Sequence, residues 1–320
     1  MELIFLGTPQ FAVPTLQAVV EGGHHVLAVF TQPDRPSGRG GKIVFSPVKQ
    51  KAIELGIPVK QPQRIRGAEA FDFLAGAGAD AMVVVGYGQI IPQSVIDLPR
   101  FGIVNVHASL LPKYRGAAPV QWAIVNGETR TGVTTMKIDA GLDTGDMLLR
   151  AETQVGPEED AIELSGRLSR LGAELLVETL RRMEAGTITP EPQDNSEATY
   201  APVLKKEDGL INWNESAMSI HNRVRGLVPW PGAYTYFRGQ LLHVWKAKPA
   251  AEQMEGIPGT LHPVRRSLRV ACGGGTSLEL LDVQLEGRKR TTAESFLNGQ
   301  RILEGEPLAG ARGSVTEPRP

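Results

Sequence analysis

The chain has 320 residues, 41% hydrophobic and 22% charged, with a formal net charge of −1 at pH 7. This is an ordinary composition for a soluble globular protein, with length enough for two domains. A single cysteine, Cys272, excludes an intrachain disulfide and a cysteine-based zinc cluster, and fits a reducing compartment.

The N-terminal run Met1-Glu2-Leu3-Ile4-Phe5-Leu6-Gly7 has no basic region ahead of its apolar residues, so it is expected to be a first strand rather than a signal peptide. No apolar run approaches the ~18 residues of a membrane span, and a cytoplasmic location is expected. Leu3–Leu6 and Val26–Thr31 are predicted as buried strands, with a helix over Val13–Glu21 between them. The turn Gly7-Thr8-Pro9 is not a G-x-G-x-x-G fingerprint, and Pro9 and Pro14 stand where a dinucleotide loop needs free backbone. NAD binding is therefore disfavoured. The stretch from Asp34 to Lys42 holds three cations and three glycines and is longer than most connections in such folds. Its residues fit either a solvated loop or a basic finger that orders on RNA.

Ser46-Pro47 pairs a cap residue with proline in the first turn and so starts a helix, which Gly56 ends. Further strands are predicted over Ala81–Val85, Ile103–His107 and Val133–Asp139, and a helix over Ala118–Asn126. The third strand ends in the glycine-rich turn Gly86-Tyr87-Gly88. Strands alternating with helices imply a mostly parallel sheet covered on both faces, a Rossmann-like α/β domain. Fold alone assigns no chemistry.

Asn105 and His107 are two apart on a predicted strand and so project from the same face. That pair by itself fits a hydrogen-bonded core histidine as well as a site. The run Asp139-Ala140-Gly141-Leu142-Asp143-Thr144-Gly145-Asp146 follows the next strand and can return to the same sheet edge. An amide, an imidazole and a carboxylate then converge without a thiol, a metal-spaced cluster or an evident nucleophilic serine. Such a trio suits acyl-type transfer with no covalent enzyme intermediate. The amide and imidazole steady an oxyanion, while the carboxylate sets the imidazole's charge or helps move a proton.

The pattern Asn-Val-His-x-Ser-Leu-Leu-Pro-x-x-Arg-Gly at 105–116, with Asp-x-Gly-x-Asp-Thr-Gly-Asp at 139–146, resembles the 10-formyltetrahydrofolate-dependent formyltransferases. The run from Arg115 to Trp122 is similar to the members of that family that act on an aminoacylated tRNA. The resemblance implies a catalytic trio of Asn105, His107 and Asp143. It implies a 10-formyltetrahydrofolate co-substrate, no metal, and formyl transfer to the α-amine of methionyl-initiator tRNA for translation initiation. It places Gly86, Tyr87, Gly88 and Ile90 on the pterin pocket, largely through main-chain groups, together with Ser109, Leu110, Leu111 and Pro112. It also implies a cis bond at Leu111–Pro112. The 34–42 loop would reach the end of the acceptor stem, with Arg39 as its key arginine and Arg35 and Lys42 beside it as tRNA contacts. A monomer is expected.

A long helix is predicted from Pro157 to Gly186, with acids in its first turn, Arg181 and Arg182 in its last, and Leu164, Leu168, Leu171 and Leu175 facing the sheet. Thr189–Lys206 holds three prolines and no period, which places a linker at 190–206 between a catalytic domain at 1–189 and a C-terminal domain at 207–320. Beyond it come a helix over Asn214–Gly226, a rigid turn at Val228–Gly232, and a hairpin of Tyr234–Phe237 with Leu241–Lys246 around Arg238-Gly239. Two more strands are predicted at Leu268–Ala271 and Leu278–Leu285, and Thr291 with Glu294 forms a capping box for a last helix. Residues past Leu308 are expected to fray. Short strands with few helices predict a small barrel, and the family resemblance makes it OB-like and tRNA-binding. Residues 205–320 hold 16 Lys and Arg against 12 Asp and Glu, while 1–204 hold 18 against 23, an asymmetry compatible with a basic surface meeting phosphates.

Other readings stay open at this point. A formyltransferase acting on another small amine, such as glycinamide ribonucleotide or an amino sugar, or delivering the formyl group to water, shares the trio. A nucleotide-dependent oxidoreductase lacks its glycine fingerprint here. A non-catalytic RNA-binding protein would have no folate site, which a folate titration separates.

Overall fold

The computed structural model describes residues 1–37 and 42–310. The chain opens with β1 (Glu2–Gly7), α1 (Val13–Glu21) and β2 (His25–Phe30), followed by a small hairpin of β3 (Arg35–Ser37) and β4 (Lys42–Val44). Next come α2 (Pro47–Glu54), β5 (Val59–Lys60), α3 (Ala68–Gly76), β6 (Ala81–Val85), α4 (Gln93–Ile96) and β7 (Ile103–His107). β8 (Arg115–Gly116), α5 (Pro119–Val125), β9 (Arg130–Lys137), β10 (Met147–Gln154), α6 (Ala161–Glu184) and β11 (Tyr200–Ala201) follow. Two compact units result, one of residues 1–119, 130–154 and 165–202, the other of residues 120–129, 155–164 and 203 onward.

Seven strands of the first unit form one sheet in the order β10-β9-β7-β6-β1-β2-β5. β5, β2, β1, β6 and β7 are parallel, whereas β9 runs antiparallel to β7 and β10 antiparallel to β9. The sheet is thus mostly parallel, as the alternation of elements predicts. β1 and β6 are buried on both faces, which is why their sequences are unbroken apolar runs. Ile4, Leu6, Ala28, Phe30, Met82 and Val84 point to one side and pack with Leu74 of α3 and Val95 of α4. On the other side Gly172 of α6 lies so close to Val106 and Val133 that a Cβ there would come within 2.8 Å of Val106 Cγ1.

α6 departs from its prediction at both its start and its face. It begins at Ala161 rather than Pro157, because the Asp160 carboxylate caps it, accepting from Ile162 N and Glu163 N at 2.9 Å each. The main-chain oxygens of Gly156, Pro157 and Glu159 accept instead from Arg225 and His221. The buried stripe runs through Leu164, Leu168, Leu176, Leu180 and Met183, with Leu171 and Leu175 only half-buried at its flank. Helical spacing puts Gly172 at the centre of that stripe, where the close approach leaves no room for leucine.

The segment read as a linker is held over most of its length. Glu191 and Met147 exchange main-chain hydrogen bonds at 2.8 Å, and β11 pairs in parallel with β8. The prolines remove periodicity without freeing the chain. The chain passes between the two units more than once, and its last crossing falls between Pro202 and Val203.

In the second unit α7 (Ala217–Gly226) is followed by β12 (Ala233–Phe237), β13 (Gln240–Pro249), β14 (Thr260–Val264), β15 (Ser267–Cys272), β16 (Thr276–Leu285), β17 (Thr291–Thr292), α8 (Ala293–Gln300) and β18 (Glu306–Ala309). Strands in the order β13-β12-β18-β14-β15-β16, with β16 paired back to β13, close a six-stranded antiparallel barrel of the OB-like kind. Closure leaves these six strands without an open edge. The predicted hairpin turns at Arg238 and Gly239, with φ of 49° and 74°, as a two-residue turn between right-twisted strands requires. Phe237, Leu242, Val244, Leu268, Val270 and Leu280 fill the interior with Trp213 and Phe296. Three expectations shift slightly here. α7 starts at Ala217, capped by Ser216, rather than at Asn214. Thr292, not Thr291, caps α8, its hydroxyl accepting from Ser295 N at 3.2 Å. Ala309 still pairs with Tyr236, so order extends past Leu308, and residues from 311 lie outside the described ones.

Candidate active site

β7 carries its polar pair at its carboxyl end. Asn105 is half-buried and His107 buried, and both lie next to β9, opposite Met136 and Thr134. The chain then turns through a cis Leu111–Pro112 peptide, as the family resemblance implies. Buried Thr134 braces that turn, donating to Ser109 O at 2.8 Å and accepting from Leu111 N at 3.1 Å. Ser109 donates its own hydroxyl to Lys113 O at 2.6 Å, so this side chain closes the loop. Leu111 is buried and Leu110 half-buried.

The Asp-rich loop after β9 folds on itself first. Asp139 accepts from Gly141 N at 3.0 Å and from the Thr144 hydroxyl at 2.8 and 2.9 Å. Gly145 passes so close to Lys137 that a Cβ there would stand 2.0 Å from the Lys137 oxygen. Between them Asp143 adopts a left-handed φ of 52° and turns its carboxylate to β7. Oδ2 accepts from Gly116 N at 2.8 Å and stands 3.7 Å from His107 Nδ1, while Oδ1 is 3.5 Å from Asn105 Nδ2. The three side chains expected to converge do so.

His107 Nε2 lies 2.9 Å from the Tyr114 main-chain oxygen. A carbonyl oxygen only accepts, so Nε2 carries the hydrogen and Nδ1 is the nitrogen that faces Asp143. A proton arriving at Nδ1 would meet a carboxylate already in place. Asn105 Nδ2 carries a second hydrogen besides the one aimed at Asp143. An amide donor, a ring nitrogen able to exchange a proton and a carboxylate thus share the carboxyl end of one strand, where sites gather in sheets of this kind.

The glycine-rich turn after β6 lies along the same edge. Gly86 and Gly88 have φ of 59° and 83°. The Tyr87 side chain is buried in the core, and that burial pushes its phenol up to about 12. Its main-chain oxygen accepts from Gln32 Nε2 at 3.0 Å and from the Thr8 hydroxyl at 3.2 Å. Tyr87 therefore offers backbone rather than ring to its surroundings. Ile90 is 93% exposed beside it.

A cleft of about 530 Å³ opens at the ends of β1 and β2, lined among others by Thr8, Gln32, Asp34, Arg35, Phe45 and Gly88. A hydrogen bond from Lys49, joined by one from Gln61, holds the Asp34 carboxyl below the usual carboxylate range. Of the three predicted tRNA contacts, Arg35 sits exposed on the cleft wall and Lys42 begins the strand paired with Ser37. Arg39 lies outside the described residues.

Sequence reasoning missed Gln193, assigned to a linker, which touches the Asp143 loop. Arg115, which the pattern at 105–116 includes without giving it a role, is buried and donates to Gln193. Nothing in the local spacing marks Gln193. Among the described residues no group of three His, Cys, Asp or Glu side chains stands ready for a metal ion. No described helix is long and apolar enough to cross a membrane.

Comparison with known proteins places the chain in a family. Residues 1–180 match the formyl transferase family model and residues 203–301 the model of the formyl transferase C-terminal domain. A methionyl-tRNA formyltransferase from Solibacter usitatus is 65% identical over 308 residues, 96% of this chain and 98% of that protein. One from Koribacter versatilis is 57% identical over 309 residues, 96% of this chain and 98% of that protein. Among solved structures, the sugar 3N-formyl transferase WlaRD superposes with a TM-score of 0.68 at 18% identity, over 90% of this chain and 99% of that one. At that identity the likeness bears on the fold alone.

Proposed function

The chain belongs to the formyl transferase family, and we propose that it moves the formyl group of 10-formyltetrahydrofolate to the α-amine of methionyl-initiator tRNA, giving formylmethionyl-tRNA and tetrahydrofolate. The observation that carries this reading is the approach of the Asp143 carboxylate to both Asn105 and His107 at the end of β7. The amine nitrogen forms a bond to the formyl carbon, and the bond from that carbon to the folate nitrogen breaks. One proton leaves the amine and one reaches the departing folate nitrogen, so the exchange balances. Asn105 donates its second Nδ2 hydrogen to the oxygen that gains charge. His107 takes up and returns the proton at Nδ1, with Asp143 beside it to balance the transient positive charge. Holding amine and formyl carbon together contributes roughly 7–11 kcal/mol toward such a barrier.

The residues present suit a folate. The main chain at Gly86–Gly88 carries no side chain at two of its three positions, and in this reading Ser109, Leu110, Leu111 and Pro112 complete the pocket with it. Arg35, Arg39 and Lys42 supply cations for the RNA end, and the closed barrel with its excess of basic residues serves as a second tRNA contact. The protein works in the cytoplasm as a monomer in this reading. The test is incubation with 10-formyltetrahydrofolate and methionyl-tRNA, initiator against elongator, with glycinamide ribonucleotide and an amino sugar as competing acceptors. Formylmethionyl-tRNA formed from initiator tRNA supports the reading. Product only from a small amine, or none at all, removes it.

A further inference from the structure

Gln193 reaches the Asp143 loop from a segment fifty residues away in sequence. Both hydrogens of its Nε2 are engaged, one by the main-chain oxygen of Asp143 at 2.9 Å and one by that of Gly145 at 2.7 Å. Its Oε1 accepts from Nε and Nη2 of Arg115 at 3.0 and 2.8 Å. A guanidinium only donates, so the amide has one possible orientation, with its oxygen toward Arg115 and its nitrogen toward the loop. Arg115 is itself 2% exposed, and its Nη2 also reaches Asn195 Oδ1 at 2.8 Å. Its neighbour Gly116 donates directly to the Asp143 carboxylate at 2.8 Å. The dipeptide of β8 therefore holds Asp143 twice, once at the carboxylate and once, by way of Gln193, at the main chain.

The second hold answers a specific need. Asp143 sits in a left-handed conformation at φ 52°, a region that residues other than glycine hold only where local bonds or their surroundings fix it. Local contacts within the loop are made by Asp139 and Thr144, neither of which touches the Asp143 main chain through the bonds described above. We propose that Gln193 is a positioning residue for formyl transfer, resting on the function assigned above. By clamping the oxygens of Asp143 and Gly145 it keeps the Asp143 carboxylate at its stations beside His107 and Asn105. It touches no reacting atom. Without it the loop relaxes, the carboxylate withdraws, and the step slows although both substrates still bind.

A purely structural role, filling the hydrogen-bonding capacity of buried Arg115, makes different predictions. The test compares steady-state kcat and KM for both substrates in the wild type, Gln193→Ala, Gln193→Glu, Asp143→Asn and the Gln193→Ala/Asp143→Asn double variant, with thermal unfolding of each. A displacement of about an ångström at a reacting centre costs up to roughly a hundredfold. Gln193→Ala should lower kcat by up to that factor with both KM values near wild type. In the Asp143→Asn background the same change should cost little more, because the residue acts through Asp143. Gln193→Glu keeps a partner for Arg115 but sets a carboxylate against two carbonyl oxygens, so it should be at least as slow as the alanine variant. Wild-type kcat in Gln193→Ala, losses that multiply in the double variant, or normal turnover in Gln193→Glu would each overturn the proposal. Should the alanine variant not fold, Gln193→Glu decides alone. A wild-type protein with no formyl transfer to methionyl-tRNA would sink the functional reading itself, a result distinct from an active enzyme indifferent to Gln193.

Discussion

The ring of His107 is pinned by its 2.9 Å hydrogen bond to the main-chain oxygen of Tyr114, which settles its neutral tautomer. Proton exchange is thereby confined to Nδ1, the nitrogen beside Asp143. His107→Asn removes that nitrogen from reach of the carboxylate and should lower kcat by roughly a hundredfold to ten-thousandfold. Steady-state kinetics with methionyl-tRNA check this, alongside a folate titration that should change little.

Asn105 donates from an amide whose first hydrogen leans on Asp143 at 3.5 Å. Losing one oxyanion donor typically lowers turnover about a hundredfold to a thousandfold. Asn105→Ala should do so without raising KM for the folate. Near-normal turnover would show that the oxyanion is stabilised elsewhere.

Gly116 has φ of 121°, and a Cβ there would stand 2.6 Å from the Ala201 oxygen. That contact is backbone against backbone and cannot rotate away. Gly116→Ala should therefore part β8 from β11 and cost about 1–3 kcal/mol of stability. Because Gly116 N also holds the Asp143 carboxylate, turnover should fall with it. Urea unfolding and kcat measured on the same preparation test both effects.

Asp34 is held below the usual carboxylate range by Lys49 first and Gln61 second. A depressed native carboxyl contributes stability at neutral pH, and that contribution fades as pH falls below the ordinary carboxylate range and through the lower native value. Asp34→Asn should accordingly be less stable than the wild type at neutral pH, with the gap closing in acid. Urea midpoints across pH would show this. A gap that widens in acid would mean that another group governs.

Arg39 tests the RNA side of the assignment. Arg39→Ala should lower activity on charged tRNA while leaving folate binding intact. Equal loss of both would count against a finger that meets RNA.

Much of the first unit was legible because its physics is local. The helix at Val13–Glu21 and the strands at Ala81–Val85 and Ile103–His107 fall where periodicity and apolar runs put them. The Ser46-Pro47 start is equally plain, with Ser46 accepting from Lys49 N at 3.1 Å. What escaped had no local mark. β5 is two residues long, and α3 follows Gly67 with no side-chain cap. β10 alternates half-buried residues with exposed ones, including Arg150 and Glu152, at the edge of the sheet. The start of α6 was written as Asp160 with Glu163, but Pro157 and two glutamates ahead of it drew the boundary too early. In the site, spacing placed Asn105 and His107 on one face, and the family pattern supplied Asp143. Gln193 and Arg115 depend on a contact between distant segments, which no window of sequence contains.

The hydrogen bond from Tyr114 N to the Thr199 hydroxyl spans 85 residues, and β8 with β11 close the same gap. A nascent chain thus exposes its reactive strand and acid-bearing loop well before the stretch that braces them has been made. So long a closure is slow to find and late to form. The frame that aims these groups is complete only once Thr199 to Ala201 have been made, and a fragment that ends earlier carries the chemical groups without it.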